Sequence, residues 1–187
     1  MVSLLRVLSC VQYAQAVMPK LIRDFNPPNK KERAIPHINI NPTQERYVAP
    51  SVMTVQMGVL DAGVVGDLAE PGGVDVNISE LNGADPLRVD FDFVGIEVPK
   101  RIYFLGHYVG SASHFIAIEI ELVGGGVWEA LGEIHSEADP MWYHFEIFKP
   151  VRYITAGAVK IRFRHIQNGV NTHDLIMDCL GIIHTAI

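Results

Sequence analysis

The chain has 187 residues, of which 49% are hydrophobic and 19% charged, and its formal net charge is −6. This length allows one sizeable core with an appendage, and the surplus of apolar residues indicates that some apolar surface contacts a partner. The acidic balance argues against nucleic-acid binding through a broad positive surface. No apolar run is long enough to predict a membrane span.

Residues 1–22 are predicted to form a short helix, since residues 2–17 lack proline and glycine. Leu4, Leu8 and Val11 recur at steps of four and three, which places them on one helical face like a coiled-coil seam. Pro19 is expected to end or kink the helix. A seam this short needs a partner surface, which is either its own domain, a second copy or another protein.

The same segment has some features of a cleaved leader. Residues 4–11 are apolar and precede an Ala-Gln-Ala sequence that resembles a signal-peptidase site. Arg6 interrupts the apolar stretch and no basic residue precedes it, so no cleaved signal peptide is expected.

The two cysteines, Cys10 and Cys179, lie in what are expected to be different structural units, and both are predicted to be free thiols.

Residues 23–74 are predicted to form an extended arm with irregular strands at 51–59 and 74–78. Prolines are dense between residues 23 and 50, and proline lacks the amide donor that a helix or an interior strand requires. An extended segment must be ordered by contacts with other molecules, so its apolar side chains and those of the helix are predicted to dock onto neighbours. These predicted docking residues are Leu4, Leu8, Val11, Phe25, Ile35, Ile38, Ile40 and Tyr47.

Residues 75–187 are predicted to form an antiparallel β-sandwich. Over residues 88–98 the side chains alternate, with Val89, Phe91 and Phe93 on one parity and charged residues on the other. This period of two is typical of a strand with one buried face. Further strands are predicted at residues 101–107, 114–123, 127–134, 142–148, 159–166 and 175–183. Their spacing, with Gly, Pro, Asp and Asn between them, predicts an all-β jelly roll.

The order of these segments resembles the galactose-binding-like jelly roll, a group that includes discoidin-type domains and many carbohydrate-binding modules. The resemblance rests on residues 87–93 (LRVDFDF), the Gly-His-Tyr at 106–108, residues 114–119 (HFIAIE) and Trp128. It covers residues 75–187 but lacks the disulfide that discoidin-type domains usually have. A small sandwich with an amino-terminal arm also resembles accessory proteins of tailed-phage particles, such as capsid cement, head fibres and tail adaptors.

No metal or other cofactor is predicted. The chain has eight histidines, but no two have the short spacing of zinc ligands. Asp61, Asp67 and Asp75 supply carboxylates without the loop spacing of a calcium site.

No catalytic residue is predicted either. Glu119 and Glu121 share one face of a strand, but the basic residues at 160, 162 and 164 share a face of another, which predicts cross-strand ion pairs. His173 and Asp174 form a tempting dyad. Adjacent residues generally point apart, however, and no motif of a nucleophilic serine or cysteine accompanies them.

Aromatic side chains beside loops and at strand ends are the predicted ligand-binding residues. A sugar ring can stack on an exposed indole or phenol, and an arginine can donate hydrogen bonds to its hydroxyls. Packing in the core or in a subunit interface is the alternative for each aromatic residue. The candidates are Tyr108, Trp128, Trp142, Tyr143, Arg162 and Arg164.

A rigid sandwich attached to a long extended arm predicts a non-enzymatic structural protein of a large assembly, most specifically a phage or virus particle. In this hypothesis the chain forms a homo-oligomer, expected to be a trimer, and docks through its arm onto other structural proteins of the particle as cement, decoration or adaptor. No nucleic acid or membrane is an expected partner. The alternative is a carbohydrate-binding module that recognises a glycan through its sandwich loops.

Overall fold

The computed structural model describes residues 45–186, which form two packed antiparallel sheets, and the predicted all-β jelly-roll sandwich is confirmed. The predicted helix, Cys10 and all predicted docking residues except Tyr47 lie outside the described residues. The strands are β1 (Glu45–Val48), β2 (Val52–Met57), β3 (Val59–Ala62), β4 (Val76–Ser79), β5 (Leu87–Val94), β6 (Val98–Val109), β7 (Phe115–Glu121), β8 (Trp128–His135), β9 (Met141–Glu146), β10 (Ala158–His165) and β11 (Asp174–Thr185). Within this part of the chain, no helix is long and apolar enough to cross a membrane.

The strands divide between two sheets that we call sheet A and sheet B. Sheet A has the order β3, β4, β11, β6, β9, and β1 pairs with the other half of β11. Sheet B has the order β2, β5, β10, β7, β8. Neighbours in the chain are often not neighbours in a sheet, so the strands cross between the two layers as a jelly roll requires.

The core lies between the sheets and is built from alternate residues of the strands. Val89, Phe91 and Phe93 are completely buried, as their shared parity predicts. The β10 strand alternates between buried and half-buried residues along its whole length, so its Lys and Arg side chains point away from the core. Phe163 of β10 meets Phe91 and Phe104 edge to face, with ring centres 5.5 and 5.2 Å apart.

The described part of the predicted arm belongs to the sandwich, which includes residues earlier than 75. Strands β1, β2 and β3 all pair with strands of the two sheets. The stretch 88–98, predicted as one strand, is divided, because β5 ends at Val94 and β6 begins at Val98.

Tyr47, one of the predicted docking residues, packs onto its own sheet. Its hydroxyl donates to the carbonyl oxygen of Leu180 at 3.0 Å and lies 3.2 Å from the sulfur of Cys179, a buried free thiol. Its ring lies over Gly181, where a Cβ atom would be only 2.1 Å from a ring carbon. Glycine is therefore required at this position, and the contact joins β1 to β11.

Candidate functional site

The outward side of sheet B carries a dense array of charged side chains, and we call it the charged face. Its members alternate with core residues along β5, β7 and β10, so the strand period alone turns them away from the core. Trp128 opens β8 directly opposite Glu121 and shares this side. The face comprises Arg88, Asp90, Asp92, Glu119, Glu121, Trp128, Lys160, Arg162 and Arg164.

The register of the strands sets opposite charges beside each other. Arg162, on the central strand β10, lies opposite Asp90 on β5 and opposite Glu119 on β7. Lys160 lies opposite Asp92 in the same way. Directly opposed side chains in antiparallel strands interact, so these two rows favour ion pairing, whereas Arg164 lies opposite Arg88 and sets two like charges beside each other.

Arg162 is the least exposed cation of the charged face. Its guanidinium donates to both carboxylate oxygens of Asp90, at 2.7 and 3.0 Å. The guanidinium carbon also lies 3.7 Å from the centre of the Trp128 ring. The Arg162 and Asp90 side chains are only 15% and 10% exposed, so a two-pronged hydrogen bond and a cation–π contact act together in a largely dry setting.

The basic side chains of β10 form cross-strand ion pairs as expected, but their carboxylate partners are not the predicted ones. Lys160 pairs with Asp92 at 3.4 Å, and Arg164 pairs with Asp85 at 3.0 Å, both on the β5 side of the sheet. The pairing predicted for Glu119 and Glu121 is therefore wrong, since the β5 side supplies the carboxylates that β10 reaches.

The two glutamates on β7 have other surroundings. Glu121 accepts a hydrogen bond from the amide of Gly126 at 2.7 Å, which closes the loop before β8. Oε2 of Glu119 is buried and has no hydrogen-bond partner within residues 45–186.

A cleft of about 290 Å³ indents one end of the charged face. Val52 of the edge strand, Asp92, Lys160 and Glu121 lie along it, and Tyr153 lines it too. The cleft thus crosses four strands of sheet B at the end where Trp128 lies opposite Glu121.

The six predicted ligand-binding residues divide among three places. Trp128, Arg162 and Arg164 share the charged face. Trp142 lies on the outward side of sheet A, where its ring meets Tyr103 edge to face at 6.5 Å between centres. The structure therefore brings three of the predicted residues together on one sheet and places Trp142 on the other.

The remaining two point into the sandwich. A surface role is wrong for Tyr108, and Tyr143 is half-buried against the core. Tyr143 stacks on Phe145 in the core, and burial raises its pKa to about 12. Tyr108 is completely buried, and its hydroxyl donates to Glu80 at 2.8 Å. Burial and the Glu80 carboxylate raise the pKa of Tyr108, which keeps the phenol protonated. Both residues have the inward parity of their strands, which turns the rings towards the core.

A buried polar cluster that no sequence pattern predicted surrounds Glu80, between the ends of the sheets. His165 contacts the Glu80 carboxylate at 2.5 Å and His173 contacts it at 3.3 Å. The three residues are far apart in the sequence, and only the fold brings them together. Asp174, the neighbour of His173, accepts instead from Ser79 at 2.6 Å, in line with the expected divergence of that pair.

Within residues 45–186, no group of three or more His, Cys, Asp or Glu side chains has an arrangement that would hold a metal ion. This holds for the polar cluster as well, because its carboxylate and imidazoles are engaged with one another.

No family model matches the chain, and no curated protein matches it. Solved structures do match. A variant of the carbohydrate-binding module CBM29-2 complexed with cellulohexaose is 13% identical, with a TM-score of 0.54, over 76% of this chain and 92% of that one. A family 29 carbohydrate-binding module is 12% identical, with a TM-score of 0.53, over 75% and 88%. The module CBM29_1 from Piromyces equi is 10% identical, with a TM-score of 0.50, over 74% and 90%.

At these identities the similarity shows the fold, a jelly-roll β-sandwich shared with carbohydrate-binding modules. The predicted resemblance to phage accessory proteins is not shown by these structures. The predictions of a particle location, of a trimer and of partner proteins in a particle likewise gain no support from them.

Proposed function

We propose that the chain is a carbohydrate-binding module that holds a glycan on the charged face beside Trp128. The observation that carries the proposal is the position of this partly exposed indole, which lies on an open sheet surface next to rows of hydrogen-bonding side chains. The sheet surface, rather than the sandwich loops, is the proposed binding surface.

The aromatic ring supplies the apolar part of the contact. A pyranose ring has a face of C–H groups, and packing it on an indole removes apolar area from water on both partners. Arg162 fixes the position of Trp128, so little side-chain freedom is lost when a sugar binds.

The charged side chains supply the polar part. Sugar hydroxyls both donate and accept, and this face offers carboxylate acceptors next to ammonium and guanidinium donors. Carboxylates that are already paired with cations stay in place and accept further hydrogen bonds.

The solved relatives suggest the first ligand to try. Cellulohexaose was bound in the CBM29-2 variant, whose fold this chain shares. An extended oligosaccharide suits a shallow surface that crosses several strands, because successive sugar units can reach successive rows of side chains.

The test is calorimetric titration of the chain with cellulohexaose and with other soluble oligosaccharides. Trp128→Ala is expected to weaken binding at least about tenfold, or 1.4 kcal/mol. The matched control is Trp142→Ala, which removes the tryptophan of sheet A and is expected to leave binding unchanged. Loss of binding in the Trp142 variant alone would move the site to sheet A, and no binding to any glycan would overturn the proposal.

A further inference from the structure

A serine, a histidine and a carboxylate lie in line at the end of the sandwich opposite Trp128. Oγ of Ser111 is 3.4 Å from Nε2 of His173, and Nδ1 of the same ring is 3.3 Å from Oε2 of Glu80. We infer that Ser111, His173 and Glu80 form a catalytic triad for acyl-ester hydrolysis, a second activity independent of the proposed glycan site. Triads are recognised by this geometry and these roles rather than by their order in the sequence.

The three residues come from three separate connections that meet at this end. Glu80 directly follows β4, Ser111 follows β6, and His173 directly precedes β11. β4 and β6 flank β11 on its two sides, so the ends of three adjacent strands deliver the three groups to one place. The sequence carries no nucleophile motif because each member lies in a different loop.

The backbone before the serine is tightly held. A Cβ atom on Gly110 would lie 2.5 Å from the Tyr108 ring, so only glycine lets the chain pass over this ring. Ser136 donates to the carbonyl oxygen of Gly110 at 2.7 Å and accepts from its amide at 3.2 Å. A turn follows, closed by the amide of His114, which donates to the carbonyl oxygen of Ser111 at 2.9 Å.

Glu80 is suited to orient the base. It is 1% exposed, and it accepts hydrogen bonds from the Tyr108 hydroxyl at 2.8 Å and from the amide of Val170 at 3.2 Å. Burial alone would raise the pKa of Glu80, but His165, Tyr108 and the Val170 amide more than offset it, so its pKa lies below the ordinary value. The carboxylate therefore stays charged beside His173.

These contacts set the tautomer of His173. Nδ1 faces the Glu80 carboxylate, and it also lies 3.2 Å from the hydroxyl oxygen of Tyr108. That hydroxyl donates its own proton to Glu80. Both neighbours accept, so Nδ1 carries the proton. Nε2 then presents its lone pair to the hydroxyl of Ser111, which is the state that a general base requires.

The reaction follows from these positions. Oγ of Ser111 attacks the ester carbonyl while its proton passes to Nε2 of His173, and the imidazolium formed is stabilised by Glu80. The carbon–oxygen bond to the leaving alcohol breaks, and the alcohol departs with the proton from His173. Water then attacks the acyl-serine with its proton going to His173. The bond between the acyl carbon and Oγ breaks as His173 returns that proton to Oγ, which releases the carboxylic acid and restores Ser111.

The surroundings indicate a small acyl group. Ser111 is exposed, and its sequence neighbours Gly110 and Ala112 are small, so the approach to its hydroxyl is open. The site is also remote from the charged face around Trp128. The seven-residue strand β7 separates the turn at Ser111 from Glu121, a distance of about 20 Å.

The test is hydrolysis of p-nitrophenyl acetate by the full chain. Ser111→Ala is expected to reduce the rate at least about 100-fold, the lower end of what a positioned base contributes. The matched control is Ser113→Ala, a serine in the same turn, with an expected change within about twofold. Equal rates for wild type and Ser111→Ala would overturn the triad.

Two further measurements separate catalysis from a structural role. A fluorophosphonate is expected to add to wild type at Ser111, as located by mass spectrometry, and modification at another residue instead would overturn the proposal. His173→Ala is expected to regain activity with added imidazole, whereas a purely structural histidine would show no such rescue.

Glycan titration of Ser111→Ala is expected to match wild type. A failure of the triad and a failure of the proposed glycan binding are therefore distinguishable.

Discussion

Arg162 lies against the ring of Trp128, with 3.7 Å between the guanidinium carbon and the ring centre. Between their strands runs β7, so the contact spans from the central strand of sheet B to its edge strand β8. The same guanidinium binds Asp90 on the other side. One side chain therefore connects β5, β10 and β8, and it positions the proposed sugar platform.

Arg162→Lys is expected to lower the free energy of unfolding by about 1–2 kcal/mol, because lysine keeps the charge but loses the two-pronged hydrogen bond and the stacking on the ring. Urea unfolding of both proteins measures the difference. Arg164→Lys on the same strand is the control, since Arg164 is 34% exposed and an exposed pair contributes little. Equal losses in the two variants would contradict the role given to Arg162.

Gly181→Ala is expected to destabilise the chain by about 1–3 kcal/mol, because the new methyl group occupies the space of the Tyr47 ring and separates β1 from β11. Thermal unfolding measures the loss. Gly66→Ala serves as the control, since a Cβ atom there meets nothing within 4 Å. A stable Gly181 variant would mean that the β1 contact contributes little.

Stability is expected to fall in acid partly through Glu80. Its pKa is lower in the folded chain than its ordinary value of 4.5, so its contribution is full above pH 4.5 and is lost as the pH falls through the folded value. Glu80→Gln is expected to lower the free energy of unfolding by about 1–3 kcal/mol at neutral pH. It should also reduce the fall of that free energy as the pH is lowered. Free energies of unfolding measured from pH 7 downwards check this. The same fall in acid for the variant and for wild type would count against it.

His184 is expected to contribute a second pH dependence at higher pH. Burial lowers its pKa below 6.5, and its Nδ1 accepts a hydrogen bond from the amide of Glu97 at 3.2 Å, which requires a neutral nitrogen. Its contribution is therefore present above pH 6.5 and is lost as the pH falls towards the folded pKa. His184→Asn should flatten the stability curve just below pH 6.5, while His135→Asn, at an exposed site, should not.

The predicted arm-driven assembly can be tested directly. Deletion of residues 1–44 is expected to convert an oligomer, predicted to be a trimer, into a monomer, because the predicted docking residues other than Tyr47 lie in that segment. Analytical ultracentrifugation of both chains measures this. Monomers in both samples would refute the assembly hypothesis and leave the glycan-binding proposal untouched.

The sandwich could be predicted because its signal is local. Alternation in residues 88–94 places Val89, Phe91 and Phe93 inside, and the structure buries all three completely. The early strands were harder to predict, since β1 lies in a proline-rich stretch and is ordered by β11, which is more than a hundred residues away in the chain. Short edge strands of this kind depend on their partners more than on their own sequence.

Parity along the chain was sufficient to determine two layers, a buried side and a charged side for sheet B, because strand geometry turns successive side chains to opposite faces. Only the tertiary structure decided that Trp128 and Arg162 meet while Tyr108 is buried, and that Ser111, His173 and Glu80 converge. The physical reason is that register and strand order are set by long-range pairing across the sheets. A local pattern therefore fixes which way a side chain points but not which residues it meets.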